Sequence, residues 1–136
     1  MSRTGAILHL SIPVRDLAES RAFYVDVLGC DMGRVRDEFI DVWFYGMQVT
    51  LHARPSEISA PDAAGVRHFG VTLPLDELRA LVARLDGRVE WVDKLVTEHA
   101  GTAREQTKSK LADPSGNVIE LKSYADPGTA LERRVP

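Results

Sequence analysis

The 136-residue sequence lacks several features that would each have pointed to a particular class of protein. It has one cysteine, Cys30, which excludes an internal disulfide and any zinc site built from several thiolates. It has no long apolar run. The opening MSRTGAILHLSI is too short for a signal core and too polar around Ser11 and Arg15 to span a bilayer, so a cytoplasmic protein with no membrane partner is expected. It has no strong charge imbalance either: a net charge of −3, with acids and bases mixed along the chain, offers no surface for tracking phosphates, and nucleic acid is not expected as a partner. What remains is an ordinary globular composition, 44% hydrophobic and 27% charged, long enough to bury a core or to be two small halves fused.

The stretch ILHLSIPV, residues 7 to 14, reads as a buried strand with His9 in its middle. Strand side chains alternate between faces, so His9, Ser11 and Pro13 share one side against Leu8, Leu10, Ile12 and Val14. VRHFGVTL, residues 66 to 73, repeats the arrangement with His68, Gly70 and Thr72 on one face. In both, the histidine shares its face with small residues. After the first strand, RDLAESRAFYVDVLG reads as one helix capped by Asp16, with Glu19 three positions on and Gly29 as its stop. Three strands follow, near Met32 to Arg36, at Phe39 to Tyr45 and at Met47 to Ala53, with Gly46 in the last turn.

Residues 54 to 65 turn abruptly small, polar and proline-rich, as a linker does. Beyond them the order repeats: a strand, a helix over PLDELRALVARLDG, then strands at VEWV, around Thr107 to Leu111, and at NVIELKSY. DPSG, residues 113 to 116, is a reverse turn by its chemistry. The pattern predicts an α+β chain made of a module over about residues 5–53, a linker, and a duplicate over about 66–125, with a loose tail over 126–136.

The same alternation applied to each module's last strand puts Gln48, Thr50 and His52 on one face and Glu120 with Val118 and Lys122 on another. Each half thus offers a ligand-type side chain from its first strand and one from its last: His9, His52, His68 and Glu120. Imidazole and carboxylate together suit zinc, iron, nickel or manganese. A lone strand histidine is more often a core residue, and Glu120 could lie exposed beside Lys122, but the correspondence between halves favours a divalent-metal site.

LHLSIPVRDLAESRAFYVDVLG, VRHFGVTL and LADPSGNVIEL carry a resemblance to the vicinal oxygen chelate superfamily, which includes glyoxalase I, extradiol dioxygenases, methylmalonyl-CoA epimerase and the bleomycin- and fosfomycin-resistance proteins. The resemblance runs over residues 5 to 125 and is nearest to the small branch of predicted extradiol dioxygenases. It implies paired βαβββ modules whose mixed sheets curl into a funnel around one metal. It also implies that His9, His68 and Glu120 are the metal ligands, holding Fe(II) or Mn(II) in a dioxygenase, with Ni(II) or Zn(II) in other branches. His52 matches the end of the first module's final strand, where glyoxalase I has a glutamate and the epimerase a glutamine, and becomes either a fourth ligand or an outer base.

A small-molecule substrate with two neighbouring oxygens and a homodimeric assembly are expected. For ring cleavage an acid/base is also needed, and His52 and His99 are the candidates. Ring-cleaving relatives carry a tyrosine on the strand before the glutamate; here TKSKL offers Lys108 and Lys110, read most simply as solvated charges. The alternatives are a glyoxalase-like isomerase or lyase, and a bleomycin-resistance-type binding protein, for which Trp43, Phe44 and Trp91 could line a groove.

Overall fold

The computed structural model describes residues 5–133. Two four-stranded mixed sheets with a few helices make it an α+β fold. The first sheet is built from β1 (His9–Val14), β2 (Asp31–Val35), β3 (Phe39–Phe44) and β4 (Met47–Ala53), in the order β1-β4-β3-β2. The second is built from β5 (Phe69–Thr72), β6 (Glu90–Glu98), β7 (Gln106–Ala112) and β8 (Val118–Tyr124), in the order β5-β8-β7-β6. In each, the first and last strands pair in parallel and the other pairs are antiparallel.

The helix α1 (Leu17–Arg21) starts as its sequence directs: Asp16 is extended, and its Oδ1 accepts the Glu19 N–H at 2.7 Å. Glu19 itself pairs with Arg15. The single helix expected to run to Leu28 does not stay α-helical. Over Ala22–Val27 it widens into a π-helical turn, with the Leu28 N–H on the Phe23 carbonyl, and Gly29 at φ 84° ends it. Phe23 and Tyr24, successive in sequence, are both buried there, edge to face at 5.1 Å. In the second half, α2 (Leu75–Leu85) buries Leu78, Val82 and Leu85 and packs on β8; each such side chain contributes roughly 1.5–3 kcal/mol.

One face of each sheet is the core face. In the first it carries Val14, Ile40, Val42, Phe44, Val49 and Leu51; in the second, Leu111, Ile119 and Leu121. The opposite faces carry His9 and His52 in the first sheet and Glu120 in the second. The hairpin from β3 to β4 turns on two residues, Tyr45 at φ 47° and Gly46 at φ 80°. Positive φ at both matches the right-handed twist of the strands and holds their register.

The chain divides into two compact units, one reaching to Ala60 and including Pro114–Asn117, the other holding Pro61–Asp113 and the residues from Val118 on. The linker contains two 3₁₀ turns, Pro55–Glu57 and Pro61–Ala64. The four residues of the DPSGN turn assigned to the first unit are tied to it. Ser115 Oγ accepts the Arg15 N–H at 2.9 Å, Asn117 Nδ2 donates to the Pro13 carbonyl at 2.8 Å, and a Cβ on Gly116 would lie 1.9 Å from the Ser59 oxygen. β6 is longer than VEWV and pairs irregularly with β7, with Leu95 at φ 48° donating its N–H to Ser109 Oγ. The tail expected to be loose forms a short helix, α3 (Pro127–Ala130), capped by Asp126 and packed on β8, because Pro127 supplies the φ of a first helical turn. The remainder of that expectation, residues 134–136, lies outside the described residues.

Candidate functional site

The second unit brings two of the expected ligands together. His68 stands just before β5 and Glu120 lies in β8, and His68 Nε2 is 2.6 Å from Glu120 Oε2. Glu120 is buried, its side chain 10% exposed, whereas His68 is one-third exposed. The Nδ1 of His68 is 2.8 Å from the Val66 carbonyl, a contact that is a hydrogen bond only if Nδ1 carries the proton. A neutral imidazole then has its lone pair at Nε2, facing a carboxylate oxygen that also has one. Two lone pairs at this distance are spaced for a shared proton, and the same two atoms can instead be offered together to a cation. A ring nitrogen fixed from behind by a carbonyl is also the usual arrangement of a metal-binding histidine, so the pair fits a divalent cation. Gly70 is what allows the approach: it pairs with Glu120 across the parallel ladder, and a Cβ there would sit 1.7 Å from the Glu120 carbonyl oxygen.

In the first unit the residues expected on one face do share it, row by row. His9 shares a row with Gln48 and Trp43, Ser11 with Thr50 and Asp41, and Pro13 with His52 and Phe39. β1 is an edge strand, and His9 is exposed, its ring 3.3 Å from Ser11 Oγ, so the strand is less buried than its apolar run suggests. His9 and His52 are separated by four residues along the parallel ladder, roughly 13 Å. Thr50 stands opposite Ser11 as Glu120 stands opposite Gly70, so by register the first module's counterpart of Glu120 is Thr50, and His52 is the counterpart of Lys122.

Thr50 belongs to a cluster that sequence reasoning did not single out. Asp41 of β3, 1% exposed, takes hydrogen bonds from Thr50 Oγ1 at 2.7 Å, Gln48 Nε2 at 3.1 Å and Arg34 Nε at 2.5 Å. Burial pushes its carboxyl up, but these three donors and the charge of Arg34 outweigh burial and hold it below the usual carboxylate range. An aspartate flanked by Ile40 and Val42 in FIDVWFY was the available signal.

Within the second unit, His99 lies apart from the His68 and Glu120 pair. His99 is exposed at φ 54° in the turn after β6, beyond the row of Glu98, Gln106 and Tyr124, which is four residues, roughly 13 Å, from Glu120 along β8. Lys108 and Lys110 are half-buried on the face of Glu120 and are not simply solvated. Lys108 Nζ pairs with Glu98 Oε1 at 2.8 Å, and Lys110 stands directly across from Glu120. Trp91 donates to Asp86 at 3.3 Å, and Phe44 is core. Within either unit, no three His, Cys, Asp or Glu side chains among the described residues cluster closely enough to hold an ion alone.

The family model of the glyoxalase/bleomycin resistance protein/dioxygenase superfamily matches residues 6–121. The chain belongs to this superfamily. A glyoxalase/bleomycin resistance protein/dioxygenase from Alicyclobacillus acidocaldarius is similar over 95% of this chain and 98% of its own, at 30% identity and a TM-score of 0.84. The fosfomycin resistance protein FosX from Listeria monocytogenes shares the fold, at 13% identity and a TM-score of 0.70, over 89% and 94% of the two chains. A virulence protein from Salmonella typhimurium does so at 21% identity and 0.61, over 91% and 100%. Comparison with curated proteins yields no match. The superfamily includes many enzymes as well as non-catalytic binding proteins; its members bind small molecules and commonly divalent metals. No helix among the described residues is long and apolar enough to cross a membrane.

Proposed function

We propose that this superfamily member is a metal-dependent enzyme in which His9, His68 and Glu120 hold one divalent cation, Fe(II) or Mn(II), and that its reaction is extradiol-type cleavage of a small catechol-like substrate. The observation that carries the reading is the pair of His68 Nε2 and Glu120 Oε2 at 2.6 Å, with the other ring nitrogen fixed on the Val66 carbonyl. The register supports three protein ligands over four, because Thr50 is the counterpart of Glu120 and its hydroxyl is engaged by Asp41. When bound, the ion would bind two neighbouring substrate oxygens and stabilise the charge that develops on them. His52 lies two residues beyond Thr50 on the same face, roughly 6–7 Å along the strand. It is the residue to take a proton from a substrate hydroxyl, its ring packed at 5.5 Å against Phe39. His99 has no part in this reading.

Metal analysis of purified variants tests it. His9→Ala, His68→Ala and Glu120→Ala are each expected to lose most of the bound ion. His52→Ala should keep the ion and lose roughly 10²–10⁴-fold in turnover, and His99→Ala should change neither. Oxygen uptake by the iron-loaded protein with catechol is the second readout. Full metal retention in the first three variants would overturn the ligand assignment. One observation favours another reaction on the same ligands: Lys110, not a tyrosine, faces Glu120. Nickel, cobalt or zinc in the protein, with no oxygen consumed, would move the assignment to a glyoxalase-like isomerase or lyase.

A further inference from the structure

β2 and β3 pair out of step between Met32 and Val35, so that Gly33 and Arg34 together oppose Asp41. A bulge of this kind turns a side chain that would otherwise point to the other face. Gly33 makes the room, since a Cβ there would lie 2.9 Å from the Asp41 Cβ and 3.2 Å from Trp43 Nε1. The side chain turned inward is Arg34, which thereby joins the face that carries His9, Trp43 and His52.

The guanidinium is fixed along one edge and over one face. Its inner edge, Nε and Nη2, meets the two oxygens of Asp41 at 2.5 and 3.4 Å. Asp41 is in turn held by Thr50 and Gln48. The guanidinium plane lies over the Phe39 ring, 5.0 Å from its centroid. The outer edge, Nη1 with the second hydrogen of Nη2, meets no acceptor among the described residues, and the side chain is half-exposed. A guanidinium needs no buried carboxylate to remain charged, and an ion pair with one buried partner is weak evidence of a purely stabilising role. Holding one edge rigidly while leaving a two-donor fork open is how arginine is prepared to receive a planar oxyanion in bidentate fashion.

We propose that Arg34 is a specificity-determining residue that receives, on its outer edge, a carboxylate carried by the vicinal-oxygen substrate. The substrate class narrows from any catechol-like molecule to an acid of that kind, with Asp41, Thr50 and Gln48 acting as the support that positions the fork. This rests on the substrate-binding reading given above.

Calorimetric titration of the iron-loaded protein without oxygen, using 3,4-dihydroxybenzoate and catechol as probes, tests it. The acid is expected to bind more tightly than catechol. Arg34→Gln should weaken the acid by about 10- to 100-fold and leave catechol within about twofold, since a charge-assisted hydrogen bond contributes on that scale. Arg34→Lys should restore part of the difference. Because Arg34→Gln leaves Asp41 buried without its cation, the double variant Arg34→Gln/Asp41→Asn, checked by thermal unfolding, provides a folded control with the same expected loss. Equal weakening of both probes, or no weakening of either, would overturn the assignment of Arg34 while leaving the metal reading intact. Failure of the wild type to bind either probe would overturn both.

Discussion

Asp41 shows how one residue's chemistry is set by what surrounds it. Burial disfavours its charge, and three donors more than compensate, so its carboxyl ionises below the usual range. A carboxylate whose folded value lies below the unfolded one, about 3.9, contributes stability that is fully present above that pH and is lost as the pH falls through the folded value. Asp41→Asn should therefore be less stable than wild type at pH 7, by about 1–3 kcal/mol. Its stability should also fall less steeply than the wild type's below about pH 4. Urea unfolding at pH 7, 4 and 3 measures both, and parallel pH curves would show that Asp41 does not carry the acid response. Cys30 is the opposite case. Burial, with the nearby charge of Asp31, pushes its thiol up to about 11, so it is a packing residue and not a nucleophile.

Among the elements, β5 is the most constrained by a single position. Gly70 lies against the backbone of Glu120, and any larger residue must push the two parallel strands apart. Gly70→Ala is expected to lower stability by roughly 1–3 kcal/mol and, by displacing Glu120 from His68, to reduce bound metal as well. Thermal unfolding and metal analysis of the same sample check this; normal metal content in a destabilised protein would show that the pair survives the shift. Much at this scale was legible in the sequence. Alternation along a strand assigns faces, which is why His9, Ser11 and Pro13 were grouped correctly and why Gly70 stood out beside His68. Alternation does not assign rows. That His52 lies one row beyond Thr50, and that Thr50 is the counterpart of Glu120, depends on how β4 meets β1 some forty residues away. Arg34 was hidden for a related reason, because a bulge breaks the period on which the count relies. The widening of the first helix likewise has no counterpart in its apolar spacing, which reads the same for α and π turns over so short a span.

At the scale of the whole molecule, chain order and compact unit do not coincide. The first unit is completed by Pro114–Asn117, which bind Arg15 and Pro13 through Ser115 and Asn117. A fragment of residues 1–65, though it contains every strand of the first sheet, lacks those partners. It is expected to show no cooperative thermal transition by circular dichroism, and a transition matching that of the full chain would contradict this. Cutting within the linker is therefore expected to leave the first unit without Pro114–Asn117 and unable to fold by itself.

The parallel pairing of β5 with β8 has its own consequence for how the protein comes into being. A nascent chain leaving the ribosome exposes His68 long before Glu120 has been translated, and β5 waits unzipped at its inner side until the final strand emerges. Under the proposed ligand set, an ion arriving before β8 is made would find the imidazoles of His9 and His68 without the carboxylate, so loading is expected to wait for that strand.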